Sequence, residues 1–170
     1  GLPPGLSINT VTGVISGTIT ASASTSDPYT VTVTATDAGG LSISDTFVWS
    51  VLNPAPVASD DTGTVTEDVT FNVPAASGLL SNDTDADGDA LSVANFTIAG
   101  NLTIFVAGQT ATITGVGTLT IRADGSYTFV PAPNYNGSVP VATYTVTDGE
   151  GGTDTATLTL SVTAVDDPEF

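Results

Sequence analysis

Polar and apolar residues alternate along most of this chain. Segments 29–37, 42–51, 118–130, 142–148 and 153–165 place mostly Val, Ile, Leu, Tyr or Phe at every second position, with Thr or Ser between them. A period of two is the pattern of a β-strand with one buried and one solvated face. Gly, Asp, Asn or Pro bounds each segment, as turns require. No segment has the period of an amphipathic helix, so the pattern predicts an all-β protein of antiparallel β-sandwiches.

The alternation also gathers threonines into rows. Residues 30, 32, 34 and 36 form one row, and residues 153, 155, 157 and 159 form another. Thr is the polar residue best suited to strands, which favours simple solvated faces. A sugar-binding or ice-binding face is the alternative interpretation.

An internal repeat divides the chain. "YTVTVTATDAGG" from residue 29 corresponds to "ATYTVTDGEGG" from residue 142, and each copy is followed by a strand that ends in Ser-Val. We therefore expect one module over 1–52, a linker over 53–60, a second module over 57–167 and an exit linker over 166–170. The second module is long enough for a sandwich core. The first is expected to contain only the later strands of its fold.

The charge and composition of the chain exclude several classes of function. The chain carries 18 acidic residues against one basic residue, Arg122, for a net charge of −17. This balance disfavours nucleic acid and anionic lipid as partners, and no apolar run is long enough for membrane insertion. Without His or Cys the usual nucleophile–base arrangements are missing, so we expect no enzyme.

One stretch concentrates the acidic residues. "SNDTDADGDALSV" over 81–93 has aspartates at 83, 85, 87 and 89. On a strand all four would share one face at about 4–7 Å spacing and repel each other, so the segment is predicted to be a loop that needs a counter-charge. Hard oxygen ligands without His or Cys favour Ca²⁺. An EF-hand does not fit, because the position that requires a bidentate Glu is Ala94.

Longer motifs resemble known families. "VASDDTGTVTED", "LLSNDTDADGDAL", "DGSYTFVPAPNYNGS" and "AVDDPEF" make the second module similar to the bacterial cadherin-like repeats of giant secreted adhesins of the RTX type. "LPPGLSINTVTGVISGT", "VTATDAGG" and "DTFVWSV" make the first resemble a dystroglycan-type, cadherin-like Ig module. The resemblance implies tandem Ig-like/cadherin-like sandwiches with calcium-binding loops at the module ends.

The resemblance also implies individual calcium ligands. Asp85 and Asp87 match the family's Asp-x-Asp, with Asp89 beside them. The remaining matches are the first-strand Glu, the aspartates of the two Thr-Asp turns that precede a Gly pair, and the linker and exit positions: Glu67, Asp37, Asp148, Asn53, Asp166 and Asp167.

These observations predict calcium-stiffened extender modules of a bacterial surface adhesin. Such modules would be secreted, would contact neighbouring modules of the same polypeptide, and would project a distal ligand-binding domain for cell adhesion or biofilm formation. The alternative is a module that itself binds carbohydrate, peptide or ice. Phe96 and Phe105, in the irregular segment 94–117, are the candidate ligand contacts for that alternative. Two more strands of the sandwich are the favoured interpretation of this segment.

Overall fold

Short strands dominate the computed structural model, which describes residues 1–166. The chain divides into two compact units, Gly1–Pro54 (unit 1) and Ala55–Phe170 (unit 2). Both units are built mainly from β-strands, as the alternating pattern predicts.

Unit 1 contains two antiparallel hairpins and one short 3-10 helix. Its elements, in chain order, are β1 (Leu6–Ile8), β2 (Ile15–Gly17), the 3-10 helix (Ala21–Ser26), β3 (Tyr29–Thr36) and β4 (Ser42–Trp49). β1 pairs with β2, and β3 pairs with β4. The Asn9 carboxamide accepts hydrogen bonds from the backbone N–H groups of Val11 and Thr12, which closes the β1–β2 turn.

The β3–β4 hairpin has one polar and one apolar face. Cross-strand hydroxyl pairs lie on the polar face at Thr32–Thr46, Thr34–Ser44 and Thr36–Ser42, with oxygen separations of 2.7–3.0 Å. On the other face Val31 is buried, whereas Phe47 is 39% exposed and Ile43 is 77% exposed. Within unit 1 this apolar face is therefore only partly covered.

As far as residue 166, unit 2 contains ten strands and a short 3-10 helix (Ala75–Ser77). Its strands are β5 (Asp61–Thr66), β6 (Phe71–Val73), β7 (Ser92–Ile98), β8 (Phe105–Val106), β9 (Thr110–Ile113), β10 (Gly117–Ile121), β11 (Tyr127–Pro131), β12 (Gly137–Ser138), β13 (Ala142–Thr147) and β14 (Thr153–Thr163). Asp124 and Gly125 form the turn between β10 and β11, where Asp124 Oδ1 accepts the Ser126 N–H at 3.0 Å.

Two sheets enclose the core of unit 2 as a β-sandwich. One has the strand order β6-β11-β10-β9, and the other has β12-β14-β13-β7-β8 with β5 also paired to β14. Apolar residues from both sheets meet between them. The fully buried large side chains are Tyr144, Phe96, Phe129, Leu79, Leu119, Ile121, Leu158, Val65, Val93 and Val146.

One strand pair of unit 2 is parallel. β5 and β14 run in the same direction from Asp61↔Leu158 to Thr66↔Thr163. Val162 of β14 pairs with both Val65 and Gly137, so β5 and β12 lie along opposite edges of β14. The first and last strands of unit 2 are thus adjacent.

Segment 94–117 forms strands rather than an open ligand loop. Phe96 of β7 is completely buried, and its ring stacks on that of the half-buried Phe105 at a centroid distance of 5.3 Å. This burial removes Phe96 as an exposed ligand contact, because alternation along β7 turns its ring into the core.

No helix among residues 1–166 has the length and apolar character needed to cross a bilayer.

Candidate metal centre

The aspartate loop lies between Leu79 and β7 and contacts the beginning of unit 2. Thr84 forms an isolated antiparallel bridge with Val57, with backbone hydrogen bonds of 2.8 and 3.1 Å. Beside it, Asp83 Oδ1 accepts the Ser59 N–H at 2.8 Å. The loop is therefore held against the segment that leads into β5.

Asp85 organises the backbone of the loop. Its Oδ1 accepts the N–H groups of Asp87, Gly88 and Asp89 at 3.1, 3.1 and 3.2 Å. Gly88 has a φ of 86°, a conformation that glycine adopts without steric cost. The turn formed in this way brings Asp87 and Asp89 back towards Asp85.

Four carboxylate oxygens of the loop are buried and have no hydrogen-bond partner within residues 1–166. They are Asp83 Oδ2, Asp85 Oδ2, Asp87 Oδ1 and Asp89 Oδ2. Asp85, Asp87 and Asp89 each offer one carboxylate oxygen within 4.8 Å of the other two. A buried, unpaired carboxylate oxygen is unfavourable, and oxygens converging at this spacing fit a hard cation such as Ca²⁺.

Electrostatics in the loop oppose full ionisation without a cation. A proton on Asp87 can be donated to the Asp85 carboxylate, and this interaction lowers the pKa of Asp85 and raises that of Asp87 to about 6. Burial raises the pKa of Asp89, and the charges of Glu150, Asp85 and Asp148 raise it further. Asp87 therefore retains a proton at mildly acidic pH when no cation is bound.

Asp148 approaches the loop from the β13–β14 turn. It is 5% exposed, and its Oδ1 accepts the N–H groups of Glu150 and Gly152 at 2.8 and 3.0 Å. A Cβ at Gly152 would lie 2.0 Å from Asp148 Oδ2, so only glycine fits there. The structure brings Asp148 to the same end of unit 2 as the aspartate loop.

Two acidic residues at this end were not among the predicted ligands. Glu150 is half-buried, and its charge raises the pKa of Asp89. Asp154 Oδ2 accepts the Ala58 N–H at 2.9 Å, and the charge of Asp154 contributes to the raised pKa of Asp83. Glu150 could have been predicted to lie near the site, because it follows Asp148 by two residues. Asp154 could not, because strand pairing places it at this end of unit 2.

Glu67 lies at the opposite end of unit 2. It is 3% exposed, and its carboxylate accepts the Asn136 side-chain N–H at 3.1 Å and the Val165 backbone N–H. Val165 follows β14, whereas Asp148 precedes it, and the 11 residues of β14 span about 33 Å. Glu67 therefore does not join the aspartate loop. Asp166 is exposed beside Val165, and Asp167 lies outside the described residues.

The two predicted ligands of unit 1 have local partners. Asp37 Oδ1 accepts the N–H groups of Gly39 and Leu41 at 2.8 and 2.9 Å, the same turn pattern as Asp148. Ser24 Oγ donates to Asn53 Oδ1 at 3.4 Å. A metal-binding role for Asp37 and Asn53 stays a prediction.

Family models match both parts of the chain. Residues 53–164 match the model of the bacterial cadherin-like domain, and residues 1–52 match that of the "Putative Ig domain". No curated protein matches the chain.

Several solved structures share distant similarity with the chain. A nucleoside hydrolase-related hypothetical protein from Saccharophagus degradans, associated with carbohydrate metabolism, is 14% identical with a TM-score of 0.41, over 67% of this chain and 26% of that one. The endo-fucoidan hydrolase MfFcnA4 of glycoside hydrolase family 107 is 19% identical with a TM-score of 0.40, over 97% and 23%. Immunoglobulin domains 1–5 of Sidekick-1 are 17% identical with a TM-score of 0.39, over 95% and 30%. The chain spans between a fifth and a third of the length of these three structures, and similarity at this level carries no argument about function.

Proposed function

This chain belongs to the bacterial cadherin-like domain family, and from that membership we propose that it is a calcium-stiffened extender segment of a large bacterial surface adhesin. Cadherin-like and Ig-like domains are extracellular, adhesion-type modules that typically have no catalytic activity. As an extender, the chain contacts neighbouring modules of its own polypeptide. A distal domain of that polypeptide then binds the host cell, glycan or ice.

The four buried carboxylate oxygens without hydrogen-bond partners support this proposal most directly. Asp85, Asp87 and Asp89 would hold the ion, with Asp83 and Asp148 beside them. Arg122, the chain's single basic side chain, donates to Thr128 Oγ1 on the exposed surface of unit 2. Because the protein supplies so little positive charge, a cation from solution is the natural counter-charge. Bound Ca²⁺ supplies that charge and fixes the carboxylates.

Ordering of the loop extends to the beginning of unit 2. The Thr84–Val57 bridge and the Asp83–Ser59 hydrogen bond join the loop to residues 57–59. Without an ion, repulsion among the carboxylates loosens the loop and the segment bonded to it. With an ion, both are held together, and the backbone just after the linker becomes stiffer.

The opposite end of unit 2 offers a second group of acidic residues. Glu67 and Asp166 would hold an ion at the exit from the module, and Asp167 follows Asp166 in the sequence. Each oxygen of Glu67 accepts one hydrogen bond and retains a lone pair for a metal. The aspartate loop and this exit group would then serve successive junctions in a tandem array.

Calorimetry with and without calcium tests the proposal. Extracellular calcium modules have dissociation constants of about 0.1–1 mM, and ten-fold excess ion then adds roughly 1.4 kcal/mol per site. We expect the melting temperature of unit 2 to rise by roughly 5 °C in calcium relative to EGTA. The double variant Asp85→Ala/Asp87→Ala should lose this rise, whereas Asp45→Ala in unit 1 should keep it. Identical melts in calcium and EGTA for the wild type would refute the calcium mechanism.

A further inference from the structure

Four Asn-x-Ser/Thr tripeptides occur in the chain, all in unit 2. They begin at Asn82, Asn95, Asn101 and Asn136. This tripeptide is the acceptor motif for N-linked glycosylation, but the motif alone is weak in a chain so rich in threonine. The local structure distinguishes the four.

Three of the tripeptides are held by hydrogen bonds or strand pairing. Asn82 Nδ2 donates to the carbonyls of Ser59 and Asp60 at 3.5 and 3.4 Å. Asn136 Nδ2 donates to Glu67 Oε2 at 3.1 Å. Asn95 is in β7, where it pairs with both β13 and β8. The amides of Asn82 and Asn136 must give up these hydrogen bonds to react, and Asn95 must leave its strand pairing.

Asn101 differs because it lies in the turn after β7. Its backbone N–H donates to the Ile98 carbonyl at 2.9 Å, with Gly100 between them at a φ of 81°. The Thr103 N–H donates to Asn101 Oδ1 at 2.9 Å. Asn101 Nδ2 makes no hydrogen bond to any residue in the described part of the chain, so the nucleophilic amide of this tripeptide is free.

The residues around Asn101 are unusually exposed for their type. Leu102 is 102% exposed, Ile104 is 64% exposed and Val106 is 59% exposed. Thr103 is also exposed. A sugar attached to the adjacent Asn101 would shield these exposed apolar side chains.

We propose that Asn101 is the residue at which this chain accepts an N-linked glycan. The co-reactant is a sugar activated as a pyrophosphate, on a nucleotide or a lipid, brought by a sequon-directed glycosyltransferase. A bond forms between the anomeric carbon and Asn101 Nδ2, and the bond from that carbon to the pyrophosphate oxygen breaks. The amide nitrogen passes one proton to a basic group of the glycosyltransferase, and the pyrophosphate leaves with the electron pair. Thr103 supplies the hydroxyl that such enzymes read at the second position after Asn.

Co-production of the whole chain with a sequon-directed N-glycosyltransferase tests this assignment by intact-mass measurement and peptide mapping. We expect one glycan per chain, on the peptide that contains Asn101. Asn101→Gln and Thr103→Ala should abolish it, Thr103→Ser should retain it, and Asn82→Gln should leave it unchanged. A synthetic peptide of residues 98–106 serves as the acceptor control.

Two results would overturn the assignment. The first is an unmodified chain, whether or not the peptide is modified. The second is a glycan that remains after Asn101→Gln and maps to another asparagine.

Discussion

The hydroxyl of Tyr144, a fully buried side chain, donates a hydrogen bond of 2.7 Å to Asp61 Oδ2. This bond joins the core of unit 2 to the first residue of β5, close to the aspartate loop. Burial raises the pKa of Asp61 in spite of the hydroxyl, and the pKa of Tyr144 is raised by burial and by the Asp61 carboxylate. The pair therefore anchors an acidic residue that lacks a basic partner.

Tyr144→Phe should destabilise unit 2 by about 1.5–3 kcal/mol, because the carboxylate of Asp61 loses a hydrogen bond from a neutral donor without any gain in packing. Urea unfolding measures the change. Tyr135→Phe is the matched control, since Tyr135 donates to the neutral Ser138 carbonyl at 2.5 Å and should cost about 0.5–1.5 kcal/mol. Equal losses in the two variants would show that Asp61 contributes no charge-assisted component.

Acidification should stabilise the calcium-free protein. The pKa of Asp87 in the folded state, about 6, lies above its ordinary value, so its contribution is complete below about pH 4 and is lost as pH rises through 6. Asp83 and Asp61 shift in the same direction. The lowered pKa of Asp85 acts only below about pH 4. In EGTA, the melting temperature should therefore be higher at about pH 5 than at about pH 7.5.

In calcium, the melting temperature should instead be lower at about pH 5 than at about pH 7.5, because protons on Asp87 compete with the ion. Titration calorimetry should give weaker calcium binding at about pH 5 than at about pH 7.5. Asp87→Asn should weaken binding at both values and reduce the pH dependence in EGTA, whereas Asp45→Asn should change neither. Calcium binding that is equally tight at both pH values would contradict a role for Asp87 as a ligand.

Gly152→Ala should disturb the candidate metal centre from outside the loop. The new Cβ would lie 2.0 Å from Asp148 Oδ2 and 2.9 Å from Ala55 Cα, so Asp148 must move. Overpacking of this kind costs about 1–3 kcal/mol, and we expect weaker calcium binding as well. Thermal melts and calcium titration check both effects.

Gly39→Ala is the control for that variant. It lies in the corresponding turn of unit 1, where the nearest atom, Asp37 Oδ1, is 3.2 Å away and belongs to an exposed side chain that can shift. A Gly152→Ala protein with unchanged calcium binding would separate Asp148 from the metal centre.

Glu67→Gln separates a structural role from a metal-binding role at the exit end. The amide can keep only one of the two accepted hydrogen bonds, from Asn136 and Val165, so the variant should lose about 1–3 kcal/mol. If Glu67 is structural, urea unfolding should give the same loss in EGTA and in calcium. A loss that appears mainly in calcium would instead assign an ion to this end.

Local sequence determines most of the fold. Alternation over 29–37 predicts β3 (Tyr29–Thr36), and the Asp124–Gly125 turn divides 118–130 into β10 and β11. These features are predictable because side-chain period and turn chemistry act over a few residues. The parallel pairing of β5 with β14 is not predictable in this way, since it joins residues about a hundred positions apart.

The residues of the candidate site also differ in whether local sequence predicts their position. Asp85, Asp87 and Asp89 converge within one loop, so their spacing in sequence was sufficient to bring them into one hypothesis. Asp154 reaches the same end only because β14 begins beside Ala58. Glu67 does not lie near these aspartates, because it follows β5 and so lies at the far end of β14. The match to a family motif identified Glu67 as a candidate ligand, but it did not show where Glu67 lies in the fold.

The adjacency of β5 and β14 has a mechanical consequence for unit 2. β5 begins at Asp61 and β14 ends at Thr163, and the two strands run in parallel. A tensile force applied to the two ends of this unit acts along both strands in opposite directions, and it shears six residue pairs at once rather than opening them one after another. The strand pair that closes the sandwich is therefore also the one that sets how much tension the module withstands.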